Sequence, residues 1–239
     1  MPGPTITVID KTDKNKDWKV TPQQVVDTCQ KFVDDFFAPR WGTPCQLKLA
    51  ADFEPGSWAM AFFDVSDQAG VLGYHDLTPE GLPLAKIAVS AVLAAGKQVT
   101  ITATHELAEM LIDPGANLIV QGGDDLTLYA FEVCDPVEED TFDLGGFPVT
   151  NFVYPAWFAA AGGARFVDPD GKTDHLGKTN KAFHIPPRGY MPIFKNNEWT
   201  QVFGSLAKQQ DYAKEDRSER RFARRKKRSL RRSERHGLK

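Results

Sequence analysis

Residues 101–114 read Ile101-Thr-Ala-Thr-His-Glu-Leu-Ala-Glu-Met-Leu-Ile-Asp-Pro114. His105 and Glu106 are adjacent, Glu109 follows the histidine by four residues and Asp113 follows Glu109 by four. At 3.6 residues per turn, positions 105, 109 and 113 share one helix face, in axial steps of about 6 Å. Leu107, Leu111 and Ile112 point elsewhere, towards a core, and Pro114 stops the helix. A histidine with an acidic neighbour and a second ligand-type side chain one turn on is the spacing that zinc hydrolases use in H-E-x-x-H. There the i, i+4 pair binds metal and the intervening glutamate handles the attacking water. Here the fifth position is Glu109 instead of a second histidine.

Helices rich in Glu, Leu and Ala carry stray histidines, and H-E-x-x-E alone is a weak signal. A second acidic cluster, Glu132-Val-Cys-Asp-Pro-Val-Glu-Glu-Asp140, strengthens it. The cluster follows a strand-like run, Leu126–Phe131, so one acidic group lies on a helix and the other at a strand end. Together they can converge on one cation. Glu132 is the first choice for a third ligand and Asp135 the next. Asp113, two turns from His105, is better placed to support a ligand than to be one. Two carboxylates with one imidazole make a harder, more anionic set than two imidazoles with one carboxylate. Zinc remains the first candidate cofactor, but Mn²⁺, Fe²⁺ and Ca²⁺ gain ground. Such a shell also acidifies a bound water less, which leaves more for Glu106 to do as a base.

The order along the chain places this helix. Thr5–Ile9 alternates as a short strand. Thr21, with Pro22 at the first helical position and Gln24 three residues after the cap, starts a helix whose apolar face is Val25, Val26, Cys29, Phe32, Val33 and Phe36. That helix is expected to end before Pro39. Strands are expected at Gln46–Ala50, Trp58–Val65, Gly70–Leu77 and Leu84–Val92, and Gly96 then breaks the chain ahead of the His105 helix. His75, on the expected edge strand of this set, reads as a surface histidine or as one facing a substrate groove. His175, His184 and His236 carry no ligand spacing, and His184 reads as a packing residue. Tyr154, Trp157 and Phe158 read as core packing.

This helix, strand, strand, short strand, strand, metal-site helix order resembles the N-terminal half of the zincin metallopeptidases. In that family a backing helix and a twisted mixed sheet support the H-E-x-x-H helix. The resemblance covers roughly residues 5–115, or 5–135 with the third ligand included. It implies an α+β fold, a zinc ligand at His105, a second ligand at Glu109, a catalytic base at Glu106 and a peptide or protein substrate. Two departures stand out: the family's second histidine is replaced, and no G-x-x-H or N-E-x-x-S-D extension follows. With the Glu-Val-Cys-Asp-Pro-Val-Glu stretch included, the pattern is also similar to zincin-like proteins encoded in bacteriophage and bacterial genomes.

The 239 residues, 41% hydrophobic and 11% aromatic, are enough for a sizeable core. The expected organisation is a zincin-like metal-binding domain over 1–160, a loop-rich cap over 161–213 that ends in a strand-like stretch at 199–203, and a basic tail over 214–239. No apolar run is long enough to span a bilayer, and the N-terminus lacks the pattern of a secretory signal. Three cysteines (Cys29, Cys45, Cys134) without a C-x-x-C pair argue for reduced thiols in a cytoplasm, that of a host if the chain is phage-encoded, or a virion. Cys134, inside the acidic cluster, reads as a packing residue first and a soft ligand second.

The net charge of −3 conceals an asymmetry. From Lys214 to Lys239 there are 13 Lys and Arg against 4 Asp and Glu, a balance of +9; residues 1–213 hold 16 basic and 28 acidic side chains, or −12. Arg220, Arg221, Arg224, Arg225, Lys226, Lys227, Arg228, Arg231 and Arg232 form the centre of the arm, and between 220 and 232 only Phe222 and Leu230 are large and apolar. Such a segment cannot bury enough to fold alone. Phosphate neutralisation on nucleic acid is one reading, and a solubilising or self-docking tail is the other. Two functions therefore compete. One is a metal-dependent hydrolase, most simply a peptidase. The other is a non-catalytic virion component on a zincin-like scaffold, assembled with other virion proteins and touching packaged nucleic acid.

Overall fold

The computed structural model describes residues 3–13, 17–68, 71–123, 126–159 and 170–214. The polypeptide is a mixed α+β structure organised around three sheets. The largest contains β1 (Thr5–Asp10), β2 (Gln46–Ala50), β3 (Trp58–Phe63), β4 (Gly73–Leu77) and β5 (Pro83–Ala88), in the order β2-β1-β3-β5-β4. Neighbours are parallel throughout, except that the edge strand β4 runs antiparallel to β5.

Side-chain alternation gives this sheet two unequal faces. Ile6, Val8, Met60, Phe62, Ala85 and Ile87 join the main core, while Ile9, Ala59, Ala61 and Leu84 form a small cluster on the other side. The helices α1 (Pro22–Phe32) and α4 (Val99–Ile112) cover the first face, with α1 against β2 and α4 against β4 and β5. Helix α1 begins as the residues dictate. The Thr21 hydroxyl accepts the Gln24 N–H at 3.2 Å, and the Gln24 side chain accepts the Thr21 N–H at 2.8 Å, a complete capping box.

Two expectations from the sequence are corrected here. The first helix does not end before Pro39: a π turn over Val33–Phe37 leads into α2 (Ala38–Trp41). A widened turn immediately before a proline makes room for the ring that a regular α-helix would reject. Gly42, at φ 70°, then closes the run. The strand expected over Leu84–Val92 stops at Ala88, the last residue in register with β3, and α3 (Val89–Ala94) follows.

Downstream of α4, a second sheet has the order β11-β10-β7-β6, built from β6 (Ile119–Gln121), β7 (Leu128–Ala130), β10 (Tyr190–Lys195) and β11 (Glu198–Phe203). A hairpin of β8 (Thr141–Leu144) and β9 (Phe147–Thr150) packs on α4, with the Thr150 N–H donating to the Thr104 hydroxyl at 3.0 Å. The segment read as a loop-rich cap thus carries one more strand than expected. Pro192 hides β10 in the sequence; the strand tolerates it because β7 pairs only with Ile193 and Phe194. The short helix α5 (Leu206–Lys214) is held by Lys208, whose ammonium meets Glu138 at 2.6 Å and Glu139 at 2.5 Å. Tyr154, Trp157 and Phe158 are buried in the main core, as read. No helix among the described residues is long and apolar enough to cross a membrane. The nine basic residues of the arm, from Arg220 to Arg232, lie outside the described residues, as does His236.

Candidate metal centre

Helix α4 is enclosed on nearly every side, with twelve of its fourteen residues buried. Its His105, Glu106 and Glu109 therefore face protein, and burying such groups is costly unless they are paired or hold a cation. Three further side chains complete the centre. His75 comes from β4, Glu132 from the turn after β7, and Asp135 from the 3₁₀ turn Asp135–Val137. All six residues are at most 8% exposed.

The sheet register explains His75. It lies directly opposite Ala85, and Ala85 belongs to the helix-covered face. Residues opposite one another in an antiparallel pair share a face, so the imidazole points beneath α4. Gly73, opposite Ile87, shares that face, and the absence of a side chain there lets Glu106 approach. A Cβ at Gly73 would stand 2.9 Å from Glu106 Cγ and 2.8 Å from Thr102 Cγ2. A second close approach fixes Asp135: a Cβ at Gly189 would fall 1.7 Å from the Pro136 carbonyl oxygen, so only glycine lets β10 abut this turn.

The distances define two groups that share Glu109. His105 Nε2 is 3.2 Å from Glu109 Oε1 and 3.4 Å from Asp135 Oδ1. His75 Nδ1 is 3.9 Å from Glu109 Oε2 and 3.6 Å from Glu106 Oε2, and His75 Nε2 is 4.0 Å from Glu132 Oε2. In each set, His105-Glu109-Asp135 and His75-Glu109-Glu132, the ligand atoms lie within 4.8 Å of one another, close enough for either set to hold a metal ion. Glu109 Oε1 also accepts the Cys134 N–H at 3.3 Å. Within the centre, His75 Nε2, His105 Nε2 and Glu106 Oε2 are buried and make no hydrogen bond to the described residues. Buried polar atoms are rarely left so, and imidazole nitrogens aimed at carboxylates fit a cation between them.

Electrostatics follow from the enclosure. Burial alone would push His105 down, but the carboxylates of Glu109 and Asp135 outweigh it and hold the imidazole well above its usual range. His75 is likewise held up, against burial, by Glu106, Glu132 and Glu109. Burial pushes Glu109 up to about 8, with His105 opposing. Asp113 is raised by burial and by the Glu132 charge. Its two oxygens accept the N–H groups of Asn117 and Leu118, both at 2.9 Å, so it fixes the turn that leads α4 towards β6.

Glu132 and Asp135, alternatives for one role in the sequence, occupy different groups, and Asp135 is the one beside His105. His75, read as a surface histidine or a groove-facing one, is buried at the centre. Cys134 packs with its sulfur 3.9 Å from the His105 carbonyl, and burial raises its thiol well above the usual range, the state of an inert packing residue. The remaining described histidines are elsewhere: His175 packs among the rings of Phe36, Phe142 and Phe152, and His184 Nδ1 meets the Thr179 hydroxyl at 3.0 Å.

A cleft reaches the centre between the start of β4 and the middle of α4. Its lining includes Leu72, Gly73, Thr102, His105 and Glu106, with Lys97 and Glu138 at its sides. Its volume of about 30 Å³ is room for a water or two, since about 10–15 Å³ holds one. No protein family, curated protein or solved structure compared with the chain matches it.

Proposed function

We propose that the protein is a metal-dependent hydrolase, most simply a peptidase, in which Glu106 acts as general base on the attacking water. The observation that carries this reading is the placement of Glu106. Its carboxylate is buried beside the His105-Glu109-Asp135 group, lines the cleft together with His105, and has an oxygen without a hydrogen-bond donor. That is where a base must stand to take a proton from water held at the mouth of the centre.

The residues fit a divalent cation, with zinc first and Mn²⁺, Fe²⁺ or Ca²⁺ suited to the oxygen-rich set. A cation held here would supply Lewis-acid polarisation of the scissile carbonyl and would lower the pKa of water. His105, Glu109 and Asp135 would hold it, and the Cys134 N–H orients Glu109. A peptide is favoured as substrate by β4. This edge strand borders the cleft, and its outer side pairs with no strand among the described residues. An extended peptide laid along such an edge gains main-chain hydrogen bonds. A parallel-rich sheet with one antiparallel edge strand, backed by α1 and carrying the His105 helix, also supports the zincin-like reading.

The test is Glu106→Gln. A general base contributes about 10²–10⁴-fold in rate, so peptide cleavage by the parent should fall by that factor while metal content stays unchanged. Parent and variant cleaving a broad peptide library at the same low rate would remove the hydrolase reading. It would favour the non-catalytic virion component, whose specific support is the +9 arm on a −12 body.

A further inference from the structure

The geometry points to a centre for two cations, not one, with Glu109 bridging them and His75 and Glu132 forming the second half. This rests on the metal-binding reading above and deepens it. Glu109 offers its two oxygens in different directions. Oε1 faces His105 Nε2 at 3.2 Å and Oε2 faces His75 Nδ1 at 3.9 Å. Each side then carries one imidazole and one further carboxylate, Asp135 with His105 and Glu132 with His75. A carboxylate that divides its oxygens between two such sets suits paired ions, which in two-metal sites lie about 3.5–4 Å apart.

Charge decides between one cation and two. Glu106, Glu109, Glu132 and Asp135 are all buried and together carry −4 when ionised. One dication leaves −2 enclosed in protein with both imidazoles neutral, and still −1 with His75 protonated, which is unfavourable. Two dications neutralise the set. Nearby charges do not supply the deficit. Lys208 is taken up by Glu138 and Glu139, Lys97 stands half-buried at the side of the cleft and not among the four carboxylates, and Asp113 is anionic itself when ionised, its oxygens held by backbone N–H groups. The orphaned Nε2 atoms of both histidines are what a centre with one imidazole ligand on each side would present.

The experiment is a metal titration of full-length protein stripped with a chelator. Cobalt is added by increments and bound metal is quantified after desalting, and a parallel manganese-loaded sample is examined by electron paramagnetic resonance. Two equivalents are expected in the parent, with an exchange-coupled manganese spectrum. His75→Ala and the near-isosteric Glu132→Gln should each retain one equivalent and lose the coupling. The parent spectrum needs no variant, so the idea stays testable if His75→Ala fails to fold. A single equivalent in the parent, or two without exchange coupling, would overturn the paired centre. One equivalent together with Glu106-dependent cleavage would leave the hydrolase standing and sink only the second cation. No bound metal at all would sink both.

Discussion

Removing the metal should reverse the pH dependence of stability. In the metal-free protein His75 and His105 are held above their ordinary value of 6.5 by the surrounding carboxylates. Groups raised in this way stabilise the fold fully below the unfolded pKa, and that contribution is lost as pH climbs through the folded values. Glu109 is raised from 4.5 to about 8, chiefly by burial. Between those values the folded state keeps a proton that the unfolded chain has released, so stability falls with rising pH there as well. All three groups slope the same way, and metal-free protein should weaken steadily from about pH 5 to pH 8. A cation displaces those protons, so its binding strengthens across the same window. Held at 100 to 1,000 times its dissociation constant, one ion adds about 2.7–4.1 kcal/mol. In a chain of this length each kcal/mol moves Tm by about 2–4 °C, giving a gap of roughly 5–16 °C per ion near pH 8 that narrows towards pH 5. Thermal melts with zinc and with chelator, over that range, measure it. Coincident melts at pH 8, or a metal-free protein that gains stability as pH rises, would refute the reasoning.

Other perturbations separate the parts of the molecule. Gly73→Ala would force Thr102 and Glu106 aside, since the new Cβ stands 2.8–3.0 Å from their side-chain atoms. A misplacement of about 1 Å can cost on the order of 10²-fold in rate, so hydrolysis should drop steeply while metal analysis finds near-parental occupancy. Thr21→Ala removes half of the capping box at a cost of about 1 kcal/mol. It should lower Tm by a few degrees, with metal content untouched. Deleting residues 214–239 should abolish DNA binding and leave folding and metal content of residues 1–213 intact. In the full chain, log K should fall with log salt at a slope of about −0.9 per neutralised phosphate; binding that is absent or insensitive to salt would assign the arm to self-docking or to a protein partner.

How much of this was legible in the sequence differs from part to part, for physical reasons. Helix α1 was readable at its start because the capping residues are local, and misread at its end because the π turn that accommodates Pro39 leaves no local mark. The His105 helix was bounded correctly by Gly96 and Pro114. Glu132 and Asp135 were visible as acidic residues in a place that normally carries few. Their assignment to opposite sides of Glu109 depends on the turn at Asp135–Val137 and on Gly189, more than fifty residues away, and no local pattern encodes it. His75 was the larger loss. Its inward orientation depends on pairing with Ala85, and a slip of one residue would turn it outward. Sequence alone cannot choose that register.

The company that the charged residues of α4 keep bears on the nature of the site. An amphipathic helix puts its charges on a polar face. Between Val99 and Ile112, His105, Glu106 and Glu109 share such a face with Thr102, yet that face is buried along with most of the helix. His105, Glu106 and Glu109 therefore stand inside the protein together, packed under β4 and the turns after β7. Three ionisable groups forced inside within five residues require compensation from elsewhere in the chain. Histidine from β4 and two more carboxylates meet them, and those carboxylates add negative charge where an ion-paired core would add positive. A cluster kept for stability alone would have recruited lysine or arginine. That this one recruits further acids is the reason to read it as a cation site.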